Sequence, residues 1–321
     1  MNFINNSKNN FVKQKTLKNN ILFSGVGLHT GKAVSMSIEP SEPNTGIVFE
    51  RTDLYQNNMI EAIIDNVDET CLCTKITNKH GVSVSTIEHL MAAFHGLEID
   101  NVKVKINSDE LPALDGSSYV YVKKIIDAGV KFQSVNRKCI KILKRIKFCL
   151  NDRYISAEPS NELSLNINID YPNTIIGSSQ FTYNHSQSNF LAQLSEARTF
   201  TLLEDVEKMR LNGCAMGGSL NNAIVVDKYK ILNSDGLRFD KEFVKHKALD
   251  CIGDFYLLGM PLIGTISTFA PGHKINQMFV KEILSNKENY SIEDLEIKYS
   301  HDEYINLLNF NNLSQKKINV A

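Results

Sequence analysis

The sequence predicts an α+β fold built from two similar halves, with the active site where the halves meet. Two short correspondences between the halves support this. Glu39-Pro40-Ser41 lies between strand-like segments and recurs as Glu158-Pro159-Ser160. His89 is followed seven residues later by Gly96, and His246 at the same interval by Gly253. Together they suggest an internal duplication in which each half offers a histidine from an equivalent helix. The interval from Glu158 to His246 is the longer one, so the second copy carries an extra segment. A cation held by both histidines would sit between the halves, a common place for sites.

The elements follow in chain order. Residues 1–11 are polar and read as a disordered extension. The segments Ala33–Ile38 and Gly46–Glu50 read as strands, and Pro40–Pro43 predicts a hairpin between them. Ser85 opens a helix, and Ser85-x-x-Glu88 has the spacing of a capping box. Leu90, Met91, Ala93 and Phe94 continue that helix to Gly96, a C′ residue. Val102–Ile106 alternates as a half-buried strand. Asp115-Gly116-Ser117-Ser118 caps a helix that runs to Gly129, and Leu163–Ile169 is the strand after the second Glu-Pro-Ser. The first half is drawn at 12–135 and the second at 136–285. An insert lies at about 200–222, and residues 286–321 form a C-terminal extension.

Composition narrows the class. The chain has 321 residues, 42% of them hydrophobic, enough for two ordinary cores. A net charge of -1 gives no basic surplus for nucleic acid. No apolar run has the length of a membrane span, and the N-terminal residues lack the apolar core of a secretory signal. The six cysteines form no C-x-x-C pair, with Cys71-x-Cys73 the one close spacing, and read as reduced cytosolic thiols.

The residues that carry chemistry begin with His246 and Asp250. Four residues apart on a helix, they lie on one face and can grip a cation from the same side. An isolated pair of this kind is more often a surface contact. Here Glu88-His89 stands far upstream and supplies a second imidazole. Two histidines and one aspartate leave a position open on a tetrahedral metal, and Glu88 beside them is placed to act as a base. Thr199 can donate to a developing oxyanion. His273, in a Gly/Pro loop, can act as a general acid, and Asp254, two turns beyond His246, can hold it. His29, His80, His95, His185 and His301 have no such neighbours and read as structural or surface residues. In Phe200–Leu211, Leu202, Val206 and Met209 fall on one helical face, closed by Gly213.

Taken together, these segments resemble the UDP-3-O-acyl-N-acetylglucosamine deacetylases, the zinc enzymes of bacterial lipid A synthesis. The resemblance runs from Gln14 to about Asn276. It covers Gly25–Lys32, Ser85–Asn101, Leu111–Ser117, Glu196–Phe200, Gly217–Val226, Phe243–Gly259 and Gly272–Asn276 in the family's order. It implies two β-α-β sandwich halves with an inserted segment in each. It implies metal ligands His89, His246 and Asp250, with zinc or ferrous iron suited to that set. It makes Glu88 the general base, Thr199 an oxyanion donor, His273 the cationic general acid, Asp254 its partner and Lys247 a charged site residue. It places an acyl passage along Phe200, Leu202, Leu203, Val206, Gly218 and Ser219. The sequence departs from the pattern at Thr201, where the family usually has glycine, and at Asn221, where an acidic residue is frequent.

The implied reaction is hydrolysis of the 2-acetamide of a UDP-3-O-acyl-N-acetylglucosamine, the committed step of lipid A synthesis, by a cytoplasmic monomer. Two other readings stand beside it. One is a different metal-dependent amidase or esterase on the same fold. The other is a paralogue that binds nucleotide-sugar without turning it over, which loss of Glu88 or of a ligand would have favoured.

Overall fold

The computed structural model describes residues 11–68 and 72–296. Residues 1–10 of the expected extension, Cys71, His301 and residues 297–321 lie outside the described residues.

Val102–Ile106 alternates buried and half-buried side chains, as its sequence requires, and forms the centre of a five-stranded sheet. Ala33–Pro40 pairs with it antiparallel and Ile47–Arg51 pairs with it parallel. Ile21–Val26 and Met59–Glu61 complete the edges, both antiparallel. The expected hairpin between 33–40 and 47–51 therefore does not form. The two strands are real, but Val102–Ile106 inserts between them, so Pro40–Pro43 serves a crossover instead of a tight turn.

The second sheet is centred on Leu262–Phe269, which alternates in the same way. Arg153–Glu158 pairs with it antiparallel and Leu163–Tyr171 parallel. Ile146–Leu150 and Gly177–Asn184 add antiparallel edges. The senses of pairing along these five strands repeat those of the first sheet. Lys138–Ile142 extends this sheet, and Tyr290–Asp294, beyond the expected boundary at 285, pairs with it antiparallel. Residue 11 also makes a bridge, from Phe11 to Glu296. The architecture is α+β, mixed sheets with helices, and no described helix is long and apolar enough to cross a membrane.

Each central strand is preceded by a buried helix, Glu88–Gly96 in one case and Glu242–Phe255 in the other. Every residue of the first is buried, and in the second only Lys245 and Lys247 are not. These helices pack on each other. Their closest approach is at Gly253, where a Cβ would meet the Glu88 carbonyl oxygen at 2.1 Å.

Local details depart from the expected helix ends. Ser85 belongs to the strand Ser83–Ser85, and the helix starts at Glu88 with Ile87 as a cap that makes no side-chain bond. With Glu88 as the first helical residue the capping-box spacing is coincidental, and the Ser85 hydroxyl donates to Asp109 O. Gly96 is the last helical residue, with Leu97 as the cap and the Phe190 ring packed over it. The helix Tyr119–Ala128 does end at Gly129, which has φ +76°.

Replacing Gly253 by alanine should force these two helices apart. Overpacking of this kind costs about 1–3 kcal/mol, to be read from the midpoint of chemical denaturation. An unchanged midpoint would mean the helices are not held at this distance.

Candidate metal and catalytic site

The crossing helices bring the distant histidines together. His89, His246 and Asp250 each offer one donor atom, and the three atoms lie within 4.8 Å of one another. Asp250 Oδ1 is 3.3 Å from His246 Nε2 and 3.6 Å from His89 Nε2. That oxygen is buried and has no hydrogen-bond partner. A buried carboxylate oxygen left unpaired is costly unless something electropositive occupies the gap between it and the two imidazoles. His246 Nδ1 lies 3.0 Å from Ala197 O, which fixes its proton there and leaves Nε2 as a lone pair. Burial lowers the His246 pKa to about 3, against the attraction of Asp250, so the ring is neutral, as a ligand must be. Asp250 is held well below the usual carboxylate range. Burial opposes this, and the Lys247 ammonium beside it holds the carboxylate ionised. The residues present thus fit a divalent cation with two nitrogens and one oxygen.

Glu88 lies beside this cluster. Burial raises its pKa, and His273 and His89 oppose the rise. Its Oε2 accepts a bond from Thr74 N at 3.0 Å, and its Oε1 is 3.7 Å from His273 Nε2. His273 Nδ1 is 2.9 Å from Asp254 Oδ2. Burial alone would lower the His273 pKa, but Asp254 and Glu88 raise it to about 10. Asp254 is fully buried behind it and also accepts from Asn276 and Thr74. Lys247 Nζ donates to Asp250 Oδ2 at 3.0 Å and stands 5.3 Å from the Phe200 ring centroid. Burial opposes its charge, but Asp250 outweighs burial and raises its pKa.

Thr199 is set by two backbone bonds, its N donating to Gly116 O and its O accepting from Ile224 N, both at 2.8 Å. The adjacent Arg198 is anchored on Glu242, at the start of the His246 helix, through Nε at 2.8 Å. Thr199 is therefore tied to the element that carries two of the three clustered donors.

Glu88, His89, Thr199, His246, Lys247, Asp250 and His273 face a cavity of about 1180 Å³, and Asp254 does not. Phe200, Leu203, Val206, Gly218 and Ser219 line it too. Leu202 does not. It ends the strand Phe200–Leu202 and packs toward the core, because the helix begins at Leu203 and not before. None of the residues of the helix Leu203–Leu211 is buried, so its apolar side is open to the cavity and not spent on packing. Thr201 lines the cavity as well, adding a side chain where glycine was the expectation.

Sequence reasoning missed several residues. Thr74 bridges Glu88 and Asp254, yet nothing in its surroundings gives it a spacing pattern. His29 also lines the cavity, although it was expected to be structural or surface. Arg153, Lys208, Arg210 and Lys274 join the wall from scattered positions. His95 and His185 pack as a pair with ring centroids 4.5 Å apart, and His80 is exposed.

A sequence-family profile described as UDP-3-O-acyl N-acetylglycosamine deacetylase matches residues 14–285. The chain belongs to that family. A UDP-3-O-acyl-N-acetylglucosamine deacetylase of Haemophilus influenzae (strain PittEE) is 40% identical over 289 residues, covering 89% of this chain and 95% of that protein. Proteins of the same name from Wigglesworthia glossinidia brevipalpis and Blochmanniella pennsylvanica are 39% and 38% identical. They cover 90% and 88% of this chain, and 98% and 95% of their own lengths. The match spans both five-stranded arrays and every donor in the cluster.

The raised His273 pKa has a signed consequence for stability. The proton is bound more tightly in the folded chain, so its stabilisation is complete below the unfolded pKa of about 6.5. It is lost as pH rises through about 10. In chelator-treated protein, unfolding free energy should fall across that window by up to about 1.4 kcal/mol per pH unit. Denaturant titrations of wild type and His273→Gln check this. Parallel pH dependences would contradict the His273 charge state.

Proposed function

We propose that the chain hydrolyses the 2-acetamide of UDP-3-O-acyl-N-acetylglucosamine, giving acetate and UDP-3-O-acyl-glucosamine, the committed step of lipid A synthesis. The observation that carries the reading is the unpaired Asp250 Oδ1 facing two imidazole nitrogens on the floor of a deep cavity. His89, His246 and Asp250 would hold a zinc or ferrous ion. Such an ion polarises a carbonyl and makes a water molecule acidic near neutral pH.

Glu88 takes the proton from the attacking water, its carboxylate oriented by Thr74 N. Thr199 donates its hydroxyl to the carbonyl oxygen as negative charge develops there. A donor of this kind is worth about 3 kcal/mol, on the order of a hundredfold in rate. His273, held protonated by Asp254, gives its proton to the departing amine nitrogen. Glu88 and His273 lie close enough for the proton gained by one to restore the other. Lys247 keeps Asp250 ionised and adds positive charge on the cavity side. The diphosphate finds Arg153, Lys208, Arg210 and Lys274, against Asp152 and Asp205 as the only carboxylates of the wall, among the described residues, outside the clustered Glu88 and Asp250. The acyl chain runs along Phe200, Leu203, Val206, Gly218 and Ser219.

The same reading treats 12–135 and 136–285 as duplicated sandwich halves, each with an insert, acting as a cytoplasmic monomer. The repeated pairing sense of the two five-stranded arrays supports the duplication.

Three outcomes are expected. Glu88→Gln should retain the metal and lose about 10²–10⁴ in rate, whereas His246→Ala should lose the metal itself, as metal analysis would read. Full metal retention by His246→Ala would remove it from the ligand set. Val206→Trp should penalise long 3-O-acyl substrates far more than a 3-O-acetyl one, because each buried methylene contributes about 0.8 kcal/mol. Equal loss on both would take this helix out of the acyl passage.

A further inference from the structure

Glu110 has no place in the reaction just described, and its surroundings are unusual. Its side chain is fully buried, at 0% exposure. The neighbouring Lys32 pairs with Asp109, and among the described residues no cation pairs with Glu110. A buried carboxylate without a counter-charge is expensive unless each oxygen is satisfied by hydrogen bonds. Here Oε1 accepts from His29 N at 2.7 Å and from Thr86 Oγ1 at 3.1 Å. Oε2 accepts from Thr30 N at 2.8 Å and from Thr30 Oγ1 at 2.7 Å. A single amide or hydroxyl could close either turn. Only a two-oxygen acceptor satisfies both at once.

The two turns matter for different reasons. Thr86 has φ +60°, a strained conformation for a β-branched residue, and it stands two residues before Glu88. The 27–31 loop carries the second half's cavity wall on its other side. Met216 N donates to His29 O at 3.1 Å, and Gly217 N donates to Leu28 O at 3.0 Å. A Cβ on Gly217 would meet Gly27 O at 2.2 Å, so this contact leaves no slack.

We propose that Glu110 is a positioning residue that ties the turn presenting Glu88 and His89 to the 27–31 loop and, through that loop, to the Ala215–Ser219 wall of the acyl passage. The inference rests on the deacetylase reading, because it needs an acyl chain lying against that wall. Its consequence is that acyl-chain recognition and placement of the base share one carboxylate.

The test compares kcat and KM on a 3-O-acetyl and a long 3-O-acyl substrate for wild type, Glu110→Gln, Gly217→Ala and the double variant. Glutamine keeps the shape but turns an NH₂ toward one of the backbone N–H donors. Glu110→Gln should lose up to about threefold in kcat/KM on the short substrate, through displacement of Glu88, and about tenfold on the long one, where the passage wall shifts as well, the size expected for bonds to a charged acceptor. Metal content should be unchanged. The double variant should be little worse than the more affected single, since both act through one contact. Equal losses on the two substrates, or additive losses, overturn the proposal and leave Glu110 a simple stabilising residue. If Glu110→Gln does not fold, Thr30→Val removes one donor and keeps the backbone, and the same selectivity is read from it. Wild type inactive on both substrates would instead sink the deacetylase reading.

Discussion

The approach of two helix backbones at Gly253 decides what the rest of the molecule can do. Gly253 lies between Asp250 and Asp254 on its helix, and its missing side chain lets Glu88 O come within contact. One turn to one side of that crossing, Asp250 meets His89. On the other side, Asp254 meets Thr74 and His273. A bulkier residue would separate the donors and the acid–base pair together, since both straddle the same crossing. The sheets are the scaffolds that hold each helix at this distance.

Around the crossing, similar side chains are pushed into different states by their neighbours. His246 donates to a backbone carbonyl in a buried pocket and stays neutral. His273 faces Asp254 and Glu88 and stays charged. Asp250 is driven to ionise while Glu88 is driven toward the protonated form. Environments that separate otherwise identical groups in this way assign acid and base without any change of residue type. The cost is a concentration of buried charge that only mutual pairing makes tolerable.

Much of this was legible in the sequence, and the illegible remainder has physical causes. The His246-x3-Asp250 spacing is a helical signal, and the helix is there. The alternation in Val102–Ile106 and Leu163–Ile169 is a strand signal, and both strands formed. Strand order was beyond reach, because the hairpin suggested by Pro40–Pro43 depended on which neighbour each strand would choose. That choice is made by packing far away in the chain. Ser85-x-x-Glu88 failed as a capping box because Ser85 is held in a strand and the helix starts only at Glu88, so the two residues do not stand at its N-cap and third positions. Thr74, His29 and the scattered cavity arginines and lysines carry no local signature at all. Leu202 was taken for a cavity residue because a helical period was extended one residue too far into a strand.

The proposed chelating donors are divided between two elements that leave the ribosome at very different times. His89 emerges early, with Glu88 beside it. His246 and Asp250 follow only after the second half has begun to form. A nascent chain therefore presents at most one imidazole at the eventual centre, far too little to sequester a transition metal against cellular competitors. On the proposed ligand set, capture of an ion would be a late event, tied to docking of the second helix, and would favour the packed pair of helices over the separated ones. Chelation would then act as a clasp on the finished fold, and metal starvation during growth would show first as slackness between the two helices.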